Sequence, residues 1–348
     1  MDRTRVLAAR MASQLLLEPA ESTLQAAKHM LAFQSQDFAA GRYGLAQRST
    51  AQESRQRVDA LFTGGQLVRS WTMRGTLHIC VAEDLRWLVR ASRERTLRSA
   101  AARLRGLQID AQVIDQAAGV VSSHLRECGQ ASRTALFSAL NRHGIETGQQ
   151  RGLHLLQVLA LDGLICQGPI PDDAKLVAQD FVLVDQWIAR LREEEHPLEE
   201  LLRRYLNSHG PATLRDAAWY AGQTLSAVRT AAEALGYQLV SAGHDERGED
   251  YWVMAGSLAH HELETPQRTR LPLRLLGPFD EYYLGYANRS LAADEQMAQQ
   301  ILLGKNGMFL PFWLEQGRAA RLWNAEAAPT DQLGTALHQR YLDFKTAR

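Results

Sequence analysis

The 348-residue chain is long enough for two or three domains with substantial cores, and 45% hydrophobic with 22% charged residues is an ordinary globular composition. Its three cysteines, Cys80, Cys128 and Cys166, stand far apart with no CxxC or Cys/His ligand spacing, which argues against a disulfide framework or a structural zinc site and for a reducing compartment. A formal net charge of zero speaks against a nucleic-acid partner when taken over the whole chain, but residues 1–110 hold 17 Lys+Arg against 10 Asp+Glu, a net +7, and 35 of the 39 basic residues are arginine, so phosphate recognition stays open.

No stretch of about 18 apolar residues is present, and the opening segment MDRTRVLAARMASQLLLEPAES reads as an amphipathic helix without a cleavage site. A cytoplasmic protein with no membrane partner is the expectation. Ser22 and Gln25 have capping-box spacing and open a helix expected to run to about Phe33. A second helix is expected over 51–62, followed by Gly64-Gly65 and two strand-like runs. A similar plan recurs: helices over about 113–126, 133–140 and 150–161, then Asp162-Gly163 and the apolar LICQ. It recurs again as helices over 198–207, 213–220 and 225–235, then YQLVSA, the polar GHDERGED and YWVMA. Three helices and a β-hairpin form the winged-helix plan. After about residue 265 the texture becomes β-like, rich in aromatic and branched residues with glycine turns, until a closing helix over 330–344. The expected class is therefore α+β, mainly helical: winged-helix units over 1–105, 106–178 and 179–260, and a β-rich C-terminal domain over 261–348.

The usual catalytic signatures are missing: there is no P-loop, GxGxxG, HExxH or GxSxG, and no acidic cluster for two metals. No metal or cofactor is expected. Three constellations remain. In the first, Phe33-Gln34-Ser35-Gln36-Asp37, three successive polar residues stand where an apolar helix should end, and side chains there can cap carbonyls or face solvent without any chemistry. The second is Met73 to Val81. Read as a strand, it places Leu77, Ile79 and Val81 on one face and Arg74, Thr76 and His78 on the other. The latter row suits phosphates or base edges, and equally suits a solvated edge. The third, Gly277 to Tyr283 with Tyr286 to Arg289, offers a structural Asp280–Arg289 pair and core aromatics, with no catalytic assignment.

Taken together, FQSQD, MRGTLH, LGPFDEYYLGYANR and the looser GRAARLWN resemble the motifs of winged-helix DNA glycosylases of the AlkZ/YcaQ type, in order and over nearly the whole chain. The chain departs from them at Phe38, where proline is common, and at Asn288, where aspartate is frequent. The resemblance implies a monofunctional glycosylase acting on double-stranded DNA that carries N7-alkylated guanine or interstrand crosslinks. It further implies Gln34 and Gln36 as the catalytic pair with Asp37 in support, while strand alternation and the positive N-terminal third place Arg74, Thr76 and His78 on the DNA, lining the same basic groove as the glutamines. A rival from another class is a non-enzymatic winged-helix regulator, which usually carries one unit per protomer and dimerises.

Overall fold

The computed structural model describes residues 2–50, 54–171, 179–265, 270–304, 307–324 and 331–346. Helices dominate and the strands form small antiparallel sheets, as the α+β class requires. No described helix is long and apolar enough to cross a membrane. Contacts gather the chain into two compact units: residues 1–58 with 198–348, and residues 59–197.

In the 59–197 unit, strands Leu67–Trp71 and Leu77–Val81 form a hairpin with Trp71 opposite Leu77. Leu67–Trp71 also pairs with Ile165–Gln167, which in turn pairs with Phe181–Leu183. The 22-residue helix Leu85–Gly106 has no counterpart in the sequence expectations, because its dense arginines blur the apolar stripe. Helices Ala111–Cys128, Arg133–Arg142 and Arg151–Leu161 lie within two residues of the expected spans. Asp110 and Ser132 cap the first two, accepting from the N–H groups of Val113 and Ala135. Their apolar faces meet in a core that includes Val121, Leu125, Leu136, Leu155, Leu156 and Phe181. Each such side chain contributes roughly 1.5–3 kcal/mol by leaving water.

In the other unit, helix Arg3–Ser13 is buried from Val6 to its end, a departure from the amphipathic pattern. It serves two cores at once. Leu7 and Met11 pack with Leu276, Tyr282, Phe312 and Leu314, while Val6 and Ala9 pack with Tyr251, Val253 and Ala259. Helices Pro197–His209, Leu214–Ala221 and Leu225–Leu235 precede the hairpin of Leu239–His244 with Asp250–Met254. Thr213 and Asp216 form a reciprocal capping box that starts the middle helix. The last stretch holds a three-stranded sheet, with Phe312–Glu315 between Arg274–Leu276 and Arg318–Leu322. Among its described residues, helices Glu281–Leu284, Glu295–Ile301 and Gln332–Thr346 accompany the strands. The final helix sets Tyr341 and Phe344 edge-on against Tyr43, at 4.7 and 5.7 Å between ring centroids. That contact braces helix Phe38–Ala46, which carries the candidate site.

Candidate active site

Helix Thr23–Met30 starts where the sequence places it, with Ser22 accepting from the Gln25 N–H at 3.2 Å. The Gln25 amide oxygen accepts from the N–H of Glu21 rather than of Ser22, so the box is offset by one residue. The helix then stops at Met30, not near Phe33, because Leu31 turns left-handed at φ 65°. Phe33 and Gln34 are consequently extended. Asp37 caps the next helix, Phe38–Ala46, accepting from the Ala40 N–H at 2.9 Å. The polar run therefore connects two helices instead of ending one.

Two glycines let the helix sit against this connection. A Cβ on Gly41 would lie 2.9 Å from the Ser35 Cβ, and one on Gly44 would lie 2.5 Å from the Phe33 ring. Three residues apart, they share a helix face. The spacing G-x-x-G in FAAGRYGLA is the sequence signal for this close approach. Within the segment Ser35 is fully buried, Gln34 is 7% exposed, Asp37 is half-buried and Gln36 is exposed. The two glutamines thus differ: Gln36 opens to solvent, whereas Gln34 is largely enclosed.

A buried polar network supports the segment from behind. The Arg48 guanidinium makes a two-pronged ion pair with Asp280, at 2.7 and 3.0 Å. It also donates to the carbonyls of Gln14 and Gly44 and to the Gln14 side chain, and lies 4.9 Å over the Phe33 ring. Asp280 in turn caps the short helix Glu281–Leu284 by accepting from the Tyr282 N–H. Glu281 is completely buried, and its Oε1 accepts from the Gln34 N–H at 2.7 Å. Its Oε2 lies 3.5 Å from His209 Nε2. Burial pushes the His209 imidazole below its usual pKa, against the opposing pull of Glu281. Tyr205 and Tyr220 pack around His209 at 4.8 and 5.0 Å between ring centroids, and the Tyr220 hydroxyl donates to the Ala32 carbonyl.

The suggested Asp280–Arg289 pair does not form. Asp280 is committed to Arg48, and Arg289 instead lies 5.1 to 5.4 Å from the ring centroids of Trp219, Tyr283 and Phe309. Arg48 was overlooked because it lies 232 residues from Asp280, and no local pattern reports such a pairing. Glu281 and His209 were missed for the same reason.

In the 59–197 unit, Arg74 and Thr76 belong to the hairpin loop and not to a strand. Met73–Gly75 is a single 3-10 turn with Arg74 left-handed at φ 57°, and the strand begins at Leu77. Side-chain alternation therefore does not extend back to Arg74. Both Arg74 and Thr76 are half-buried. His78 is fully buried, with Nδ1 2.9 Å from Thr72 Oγ1 and 3.1 Å from the Thr76 carbonyl oxygen. It is positioned to hold the loop from beneath. Among the described residues, no group of three or more His, Cys, Asp or Glu side chains is arranged to hold a metal ion.

The family described as "DNA glycosylase AlkZ-like" matches residues 27–338. Among solved structures, the Streptomyces sahachiroi DNA glycosylase AlkZ is similar with a TM-score of 0.79 at 19% identity, over 99% of this chain and 97% of that chain. No curated protein sequence matches.

Proposed function

The chain belongs to the AlkZ-like family of DNA glycosylases, and from that premise we propose that it removes guanine alkylated at N7, in duplex DNA and at interstrand crosslinks, with Gln34 and Gln36 as the catalytic pair. The supporting observation is the form of the Gln34–Asp37 connection. It brings two neutral amides to the head of a braced helix, one enclosed and one exposed.

Amides are weak groups for glycosidic cleavage, which ordinarily uses paired carboxylates. A cationic N7-alkylguanine changes the requirement. When the C1′–N9 bond breaks, its electron pair passes to the base and neutralises the positive charge, so no general acid is needed. Water then adds to C1′ of the oxocarbenium-like sugar, loses its proton, and leaves an abasic site and free base. Amide oxygens can orient that water and face their dipoles toward the developing cation. Asp37 supports this step from the helix cap, where its Oδ1 already accepts from Ala40, leaving the second oxygen to receive the water proton.

On the same reading the helix-helix-helix-hairpin stretches act as winged-helix DNA modules, dividing the chain near 105, 178 and 260. Arg74 and Thr76 present their loop to the phosphate backbone, and His78 contributes by holding that loop. The near-neutral total charge is compatible with such a role, because the N-terminal third carries the positive excess.

Single-turnover excision of N7-methylguanine from duplex DNA tests the site. Gln34→Ala and Gln36→Ala should each lower the rate on the order of 100-fold, the typical cost of one oriented electrostatic group. Melting temperatures should stay near the parent's for the exposed Gln36. Parent-like excision by both variants would refute the assignment.

A further inference from the structure

Resting on the reading of Gln34 as catalytic, we propose that Glu281 is the positioning residue that sets Gln34 in its working geometry, acting through the Gln34 backbone and without contact to DNA. Four observations carry this. Glu281 has no exposed surface, so its carboxylate cannot reach a substrate. Oε1 nevertheless accepts from the Gln34 N–H at 2.7 Å, a short bond that spans 247 residues of sequence. The other oxygen faces His209, and the residue itself begins a helix whose cap, Asp280, is clamped by Arg48. Gly285 completes the arrangement, since a Cβ there would lie 2.5 Å from the His209 ring.

Hydrogen bonding around His209 assigns the remaining roles. The Ser208 hydroxyl donates to the Arg204 carbonyl at 2.9 Å, so it accepts from Nδ1–H of His209 at 2.8 Å. His209 therefore presents Nε2 to Glu281 Oε2 at 3.5 Å, which leaves Oε1 to the Gln34 N–H. The consequence is geometric. Gln34 sits on a two-residue extended stretch between a left-handed turn at Leu31 and a helix cap at Asp37, and its own N–H is the group that Glu281 holds. Displacing a catalytic group by about 1 Å costs about 100-fold in rate.

The test separates the reach of the acceptor from its charge. Glu281→Gln retains an oxygen at the same reach and loses the charge, and its NH2 can face His209. Glu281→Asp retains the charge and withdraws the oxygen by one methylene. Single-turnover excision of N7-methylguanine, affinity for undamaged duplex, and melting temperature are measured for both, with Gln34→Ala alongside. The expected result is Glu281→Gln within about threefold of the parent and Glu281→Asp slower by about 100-fold, with DNA affinity unchanged in each. Glu281→Gln as slow as Glu281→Asp would assign the effect to charge and overturn the proposal. So would parent-like excision by Glu281→Asp, or a loss in Glu281→Asp matched by an equal loss of DNA affinity. If Gln34→Ala itself excises like the parent, the reading of the site fails first, and that outcome is distinct from failure at Glu281 alone.

Discussion

Two short polar interruptions of regular structure, the Gln34–Asp37 connection and the Thr72–Thr76 loop, are held in opposite ways. The loop is fixed mainly by its own neighbours: two paired strands bring Trp71 opposite Leu77, and His78 ties to Thr72 and Thr76 within six residues, with one longer tie from Gln157 Nε2 to the Gly75 carbonyl at 3.0 Å. The connection is fixed from far along the chain, by Glu281 on its backbone and by Arg48 paired to Asp280 beneath Phe33. A locally held loop tolerates loss of any one tether. A remotely held segment depends on a buried polar network whose members fail together.

The sharpest way to break this comparison is Asp280→Ala. It would leave the Arg48 guanidinium buried without its carboxylate, in a pair whose side chains are 0% and 1% exposed. Removing one partner of such a pair costs about 3–5 kcal/mol, so thermal and urea unfolding should shift strongly and excision should fall with it. A variant that melts like the parent would mean that the segment is not held from a distance.

Next in size is Gly44→Ala. In an open helix this change gains about 1 kcal/mol. Here the new methyl would meet the Phe33 ring at 2.5 Å and the Asp280 carboxylate at 3.3 Å, and overpacking costs about 1–3 kcal/mol. The net effect should be destabilising, with slower excision, and a rise in melting temperature would show that the close approach carries no weight.

For the loop, Thr72→Val removes the hydroxyl 2.9 Å from His78 Nδ1 but leaves the Thr76 carbonyl at 3.1 Å. A loss of only about 1 kcal/mol is expected, with excision of N7-methylguanine close to the parent. If this variant collapses as Asp280→Ala should, the contrast between local and remote support disappears. The smallest change belongs to Arg74→Ala, which should leave stability within about 0.5 kcal/mol and lower the slope of log affinity against log salt by about one. Superimposable salt titrations would remove Arg74 from the DNA contacts.

The helices and hairpins were legible because their signals are local. Leu225–Leu235 and Arg151–Leu161 match their apolar periodicity within a residue, and Thr213 with Asp216 caps where a helix had to begin. Legibility failed where one residue's backbone departs from its surroundings. Leu31 and Arg74, both at positive φ, end a helix and interrupt a strand that side-chain pattern alone would continue. It failed also at Leu85–Gly106, whose arginines hide the stripe that Trp87 and Leu88 bury.

Sequence alone, then, determined most of the elements, the α+β class and the motif Gln34-Ser35-Gln36-Asp37, because caps, periodicity and a family's residue order act over a few positions at a time. Tertiary structure alone decided that Gln34 is enclosed while Gln36 is open, that Asp280 answers Arg48 and not Arg289, and that Glu281 holds the Gln34 backbone. Those outcomes depend on desolvation. A buried charge must find a partner wherever the fold brings one, and separation along the chain carries no information about which partner that is.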